Sequence, residues 1–183
     1  IDKNNGWITT ENKTIIKTTN GGSTWGDKSN SDIGGQWNGV YFIDSNIGWA
    51  VGASGKIIKT TVGGADDDWQ SQTSGTDKDL KDITCIDAST CFVVGNHTIL
   101  KTVNGGSTWS SQISGISENF RAVDFIDSNI GWAMGTIILK TTDGGSTWLE
   151  QDSGTRKVNA GDFVDTNNGW IGGHDLTLLK TTD

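Results

Sequence analysis

The sequence predicts an all-β fold, a β-propeller of four-stranded antiparallel blades with about four and a half repeats present. Three observations predict it: a pitch of about forty residues, a turn-rich composition with 26 Gly and no Pro, and four short β-rich stretches in each period. The pitch is set by Lys-Thr-Thr or a near copy at Lys17, Lys59, Lys101, Lys140 and Lys180, in steps of 42, 42, 39 and 40. An aromatic ladder runs beside it at Trp7, Trp49, Phe92, Trp132 and Trp170, each of the four Trp preceded by Gly and Phe92 by Cys91. A third marker is the turn Thr-Thr-Asn-Gly-Gly-Ser-Thr-Trp at 18–25, repeated at 102–109 and 141–148, with 59–69 a degenerate copy.

Within residues 120–154, the stretches 120–126, 131–134, 137–142 and 147–151 alternate with turn residues, giving four strands per repeat. Without proline, the turns fall to Gly, Asn, Asp and Ser, which tolerate positive φ. One such unit cannot bury both faces alone, so neighbours must stack, and radial stacking follows. WD-type signatures are missing, the kelch pitch of about fifty residues is too long, and leucine-rich or helical repeats fail on composition.

The register divides the single propeller segment 1–183 into repeats at 1–25 (partial), 26–69, 70–109, 110–148 and 149–183 (partial). The first lacks its inner strand and the last its outer one. Such ragged ends favour a piece of a larger ring of seven or eight blades, with a complete five-bladed ring as the alternative.

Composition excludes several function classes. A net charge of −8 with two Arg argues against nucleic acid, whose backbone demands clustered cations. No apolar run approaches the roughly 18 residues of a membrane helix, so a soluble chain without membrane insertion is expected. Residue 1 opens mid-pattern with no signal-like region, which leaves any export signal removed or upstream.

Nine Trp fall on repeat positions: four on the second-strand ladder, Trp25, Trp69, Trp109 and Trp148 closing the turns, and Trp37 opening a first strand. All nine are expected to fill the space between blades rather than form a ligand cage, each truncation costing about 3–5 kcal/mol if buried. In the turns, Asn20, Asn104 and Asp143 can bond the N–H groups ahead of them while the Gly pair permits the reversal. Val62 replaces that residue in the second copy and Ala65-Asp66-Asp67-Asp68 replaces Ser-Thr, which predicts a looser turn. Three adjacent carboxylates raise Ca²⁺ as a ligand, against the commoner solvated loop.

Phe-Ile-Asp-Ser-Asn-Ile-Gly-Trp-Ala at 42–50 and 125–133, with Lys-Thr-Thr-Asp-Gly-Gly-Ser-Thr-Trp at 140–148, resembles the photosystem II stability/assembly factor propellers across essentially the whole chain. The pattern is similar to the broader Asp-box, or bacterial neuraminidase, repeats of sialidases, sortilin-type receptors and some glycoside hydrolases. It therefore specifies fold strongly and function weakly. What the resemblance implies is a propeller outside the cytoplasm that acts as an assembly factor, adhesion element or protein-binding scaffold, partly through basic surface.

No catalytic residue, metal or cofactor is assigned. A sialidase needs three Arg and a Tyr–Glu pair, whereas this chain has Arg121, Arg156 and Tyr41. Asp124 and Asp162 sit at equivalent first-strand positions and are the best pair for a glycoside hydrolase, though Tyr41 and Thr84 fill that slot elsewhere and acids commonly line solvated channels. His97 and His174 fall at second turns without a zinc-spaced cluster or nucleophile elbow.

Cys85 and Cys91 replace the Phe and Gly that flank the first turn in sibling repeats, and face each other across a five-residue loop. A disulfide is expected, worth about 2 kcal/mol for so short a loop and implying a secreted, periplasmic or cell-surface location; two reduced core thiols are the alternative. The first and third turns repeat closely, so the opposite rim, with the second turns and interblade linkers, carries what varies and is the expected binding face. Its candidate partner-binding residues are Lys81, Arg121, Arg156, Lys157, His97 and His174, with Asp77, Asp79, Asp82 and Glu118 among them, a balance also expected of a plain solvated face. The leading reading is a non-catalytic scaffold for a protein partner, with a carbohydrate-binding or cleaving propeller as the alternative; the rest of a larger propeller or another copy are further partners to consider.

Overall fold

The computed structural model describes residues 2–10, 14–28, 34–65, 68–112, 115–152, 154, 157–174 and 178–181. Five antiparallel meanders follow one another. The first is β1 (Gly6–Thr9), β2 (Ile15–Thr18) and β3 (Gly26–Asp27); the second is β4 (Trp37–Phe42), β5 (Gly48–Gly52), β6 (Ile57–Thr60) and β7 (Gln70–Gln72). The third is β8 (Leu80–Cys85), β9 (Cys91–Gly95), β10 (Thr98–Thr102) and β11 (Ser110–Ser111), and the fourth is β12 (Phe120–Phe125), β13 (Gly131–Gly135), β14 (Ile138–Thr141) and β15 (Leu149–Gln151). The fifth is β16 (Val158–Phe163), β17 (Gly169–Gly173) and β18 (Leu178–Thr181). Strand order in each sheet follows the chain. The inner strands pack in succession, β4 on β8, β8 on β12 and β12 on β16, as blades about an axis do. The first blade has its second to fourth strands and the last its first to third.

Second strands are buried along their whole length in β5, β9 and β13, because a neighbouring blade covers each face. That explains their unbroken apolar runs, in place of the alternation of a one-sided sheet. Outer strands β3, β11 and β15 are exposed, and at two or three residues they offer little unpaired edge.

Each hydrophobic cluster belongs to a joint between blades. At the first joint Trp7 stacks on Phe42 with centroids 3.8 Å apart, at the third Phe92 on Phe125 at 3.7 Å, and at the fourth Trp132 on Phe163 at 3.8 Å. The ring lies over the residue paired with it across the first turn, so Gly48, Gly131 and Gly169 are glycines because a Cβ there would strike Phe42, Phe125 or Phe163. At the second joint that pair is Cys85 opposite Cys91, joined as a disulfide and packed with Trp49. The expected disulfide is present, and the same substitution removes both the ring and the need for glycine.

An Asp-box turn closes each of the first three joints from the side. Its two glycines hold positive φ, 67° and 85° at Gly21 and Gly22, with matching values at 105–106 and 144–145. Thr18, Thr102 and Thr141 hydroxyls donate to Asn20, Asn104 and Asp143 while accepting from Gly22, Gly106 and Gly145 N–H. Among its described residues, the degenerate copy keeps the bonds centred on the Thr hydroxyl. Thr60 Oγ1 donates to Asp68 at 2.6 Å and still accepts from Gly64 N–H at 2.8 Å, so the inserted carboxylate takes the place of the side chain lost at Val62. Asp68 thus has a structural role, while Asp66 and Asp67 lie outside the described residues.

The repeated lysine joins blade to blade. Each stands opposite its ladder aromatic, with Nζ 4.7–5.5 Å from the ring centroid. Lys17, Lys59 and Lys101 then donate to the Asp-box carbonyls of Gly63, Gly105 and Gly144 in the next blade, at 3.0, 3.0 and 2.7 Å. Burial lowers the ammonium pKa of Lys17 and Lys59, the sign of a cation partly withdrawn from water.

The tryptophans divide by their neighbours. Trp37, Trp49, Trp69, Trp132 and Trp148 are buried, whereas Trp25 is 39% and Trp170 40% exposed and Trp7 and Trp109 are half-buried. The expectation of nine core rings is corrected for Trp25 and Trp170, which face outward from the first and last sheets where no described blade covers them.

Candidate functional site

The inner strands β4, β8, β12 and β16 share an irregularity. The register slips by one between Trp37 and Gly39, Leu80 and Asp82, Phe120 and Ala122, and Val158 and Ala160. Each blade therefore carries a β-bulge whose extra residue is Asn38, Lys81, Arg121 or Asn159, and a bulge re-aims the side chain it displaces. All four line one depression of about 670 Å³, with Asn96, Asn119, Phe120 and His174 completing its wall. Repetition thus sets four equivalent side chains at the channel mouth on the variable rim, two cations and two carboxamides, and Asn96, Asn119 and His174 add two more carboxamides and an imidazole.

Arg121 is exposed and forms no ion pair among the described residues. Lys81 is held 3.3 Å from Asp79, whose carboxyl lies below the usual range chiefly because Ser54 N–H bonds it, then because of Lys81. The Asn38 carboxamide is tied into the rim, its Nδ2 donating to Leu80 O at 2.6 Å, and the backbones of Asn96 and Asn119 pair as an isolated bridge. Of the residues expected here, Lys81, Arg121 and His174 are brought together. His97 is exposed at a second turn with φ 54°, its Nδ1 3.2 Å from Ser117 Oγ, and Lys157 is exposed with its carbonyl accepting from His174 N–H; neither lines the depression. Arg156 lies outside the described residues. Glu118 is engaged by the Thr136 hydroxyl at 2.6 Å.

Below the mouth lie the channel acids. Asp82, expected on the rim, is instead the third residue of β8, where its carboxylate accepts from Ile83 N–H at 2.9 Å and from Val123 N–H of the next blade at 3.0 Å. Burial pushes its pKa up to about 6 against those two bonds, with Asp124 adding to the rise. Asp124 does the same one blade on, accepting from Phe163 N–H at 2.7 Å, and burial first and then Asp162 raise its pKa. These acids bind adjacent inner strands together. No group of three or more metal-ligating side chains occurs among the described residues.

The bulged residues and Asn119 were missed in the sequence apart from Lys81 and Arg121. A signal existed: Leu80, Ile83 and Cys85 are all buried in one cluster, so a step of three precedes a step of two. An odd step inside a strand marks a bulge.

Fold, turn chemistry and joint geometry define an Asp-box β-propeller. The family model for photosynthesis system II assembly factor YCF48 matches residues 61–157, more than half of the chain, and the chain belongs to that family. Comparison with curated proteins gives no sequence match. Among solved structures, YCF48 bound to a D1 peptide is 20% identical over 98% of this chain and 60% of that one, with a TM-score of 0.74. YCF48 from Cyanidioschyzon merolae is 22% identical over 97% of this chain and 63% of that one, at 0.72. A glycoside hydrolase family 74 enzyme of Niastella koreensis, 17% identical, covers 100% of this chain and 35% of its own, at 0.77. At these identities the likeness establishes the propeller, and the chain spans 60 and 63% of the two YCF48 chains.

Proposed function

We propose that this protein is a non-catalytic scaffold that takes a segment of a protein partner at the channel mouth, in the manner of an assembly factor. The observation that carries the reading is the set of four bulges, which aim Asn38, Lys81, Arg121 and Asn159 into one depression. Carboxamides offer a donor and an acceptor each, which suits an extended peptide backbone, and Arg121 can take a carboxylate bidentately. Family membership and the D1 peptide bound to a structurally similar YCF48 support a peptide over a glycan. Asp124 spends an oxygen on Phe163 N–H in the next blade, which supports a structural rather than catalytic role. The Cys85–Cys91 disulfide supports an extracytoplasmic location, because such bonds persist in oxidising compartments.

The test is titration of fluorescent D1 peptide, and of the same peptide with its terminal carboxylate amidated, into wild type, Arg121→Glu and Lys81→Glu/Arg121→Glu. The reading expects at least a tenfold loss with Arg121→Glu, a larger one in the double variant, and weaker binding of the amidated peptide. Equal affinity in all three proteins, or crosslinks mapping to the opposite rim, overturns it.

A further inference from the structure

The two cations of the channel mouth are not alike, and the repeat shows why. In each blade the residue two places before the bulge holds the second turn through its carbonyl. Gln36 O accepts from Ala53 N–H, Asp79 O from Asn96, Asn119 O from Thr136 and Lys157 O from His174, at 2.9–3.2 Å. The position is therefore equivalent in all four blades, and it stands two residues from Asn38, Lys81, Arg121 and Asn159. Of the four, only the copy beside Lys81 is an acid; beside Arg121 stands the neutral Asn119.

Asp79 acts from behind the depression, which it does not line. Its Oδ2 is 3.3 Å from Lys81 Nζ, and its Oδ1 accepts from Ser54 N–H of the preceding blade at 3.1 Å. The second blade presents that donor through a second turn longer than the two-residue turns at 96–97 and 136–137. It contains a short 3₁₀ turn, Ala53–Gly55, in which Ser54 takes φ 57°. Gly55, at φ 71°, lets this turn lie against the linker to the third blade, since a Cβ there would strike Thr76 O. Held below the usual range by Ser54 N–H and then by Lys81, the Asp79 carboxyl stays charged at neutral pH.

We propose that Asp79 sets the charge selectivity of the channel mouth: it neutralises Lys81 and leaves Arg121 as the free cation, so the mouth takes a peptide segment bearing one carboxylate amid neutral polar groups. The inference rests on the mouth taking a peptide, and it names which peptide. A second carboxylate aimed at Lys81 must break the pair with Asp79 and then lie beside a fixed like charge, a built-in penalty against the more acidic ligand. Pairs this exposed are worth little, so the result is a preference of several fold rather than a block. Asp79 is a positioning residue, acting on the ligand through Lys81.

The probes are the fluorescent peptide used for the channel mouth, made in pairs with Ala or Asp one, two or three places before its terminal carboxylate. They are titrated at low ionic strength, where exposed charges are least screened, into wild type, Asp79→Asn, Asp79→Glu and Asp79→Asn/Lys81→Met. The quantity read is the gain in affinity from Ala to Asp. At the best position that gain should be at least threefold larger in Asp79→Asn than in wild type. It should vanish when Lys81→Met is added and return to the wild-type value in Asp79→Glu. Asn can still accept from Ser54 N–H, so an unchanged far-UV spectrum and melting temperature are expected of Asp79→Asn. An equal gain in wild type and Asp79→Asn at every position, or a gain that survives Lys81→Met, overturns this inference while the channel-mouth reading stands. Failure of wild type to bind any of the peptides overturns both.

Discussion

The second and third joints of the propeller do the same work with different chemistry. At the third, Phe92 stacks on Phe125 and the ring needs Gly131 beneath it; at the second, Trp49 meets the Cys85–Cys91 disulfide and no glycine is present. A blade joint thus requires a filled slot and a fixed first turn, not a particular side chain. An aromatic ring fills the slot by volume, and a covalent bond fixes the turn and fills part of the same space.

The comparison can be broken most severely at its aromatic side. Phe125→Ala should cost about 3–5 kcal/mol in urea unfolding, since it empties a slot shared with Phe92 and Trp148. Cys85→Ala/Cys91→Ala should cost about 2 kcal/mol from the released loop; a loss well under 1 kcal/mol would show that the bridge is dispensable. Lys101→Met should cost about 1–3 kcal/mol, because it removes both the ring contact and the bond to Gly144 O. Lys140→Met, which has the ring contact but no turn carbonyl among the described residues, should cost less.

A smaller effect sharpens the picture within the second joint. Trp49 Nε1 is buried without a hydrogen-bond partner among the described residues, whereas Trp7 Nε1 donates to Gly63 O at 3.3 Å. Trp49→Phe, which installs the residue the third blade uses, should therefore change stability by less than about 1 kcal/mol.

The channel acids give a pH dependence of defined sign. Asp82 is raised from 3.8 to about 6, so it is harder to ionise folded than unfolded. Its contribution to stability is therefore most favourable below its unfolded pKa, falls as pH rises from about 4 to about 6, and is level above. The melting temperature of wild type relative to Asp82→Asn should decline across that window, and a flat difference would contradict the assignment. The turn carboxylates of Asp44 and Asp165 act oppositely. Each is held below the usual range by backbone N–H bonds, and their stabilisation is present above the unfolded pKa and lost as pH falls through the folded one.

The four-stranded repeat and its strand order were legible because each follows from a local pattern repeated at a fixed pitch, and the disulfide because two Cys stand at facing positions of one copy. The partners of Lys17, Lys59 and Lys101 were not, since each lies 43 to 46 residues away and depends on how blades abut. Asp68 was misjudged for a related reason: the insertion delivers a carboxylate from the far side of the turn, a three-dimensional replacement that alignment of the copies conceals. Trp25 and Trp170 carried the right residue type in the right register, yet their burial depends on a neighbour rather than on their own repeat. The rim was identified as the variable face, but the bulges that gather Asn38, Lys81, Arg121 and Asn159 require the pairing register.

The most direct test of joint equivalence is the exchange Cys85→Phe/Cys91→Gly, measured by urea unfolding with and without reductant beside Cys85→Ala/Cys91→Ala. The account predicts that the exchange recovers most of the stability lost in the Ala pair and is indifferent to reductant, with the introduced phenyl ring stacked on Trp49. Stability no better than that of the Ala pair would contradict it.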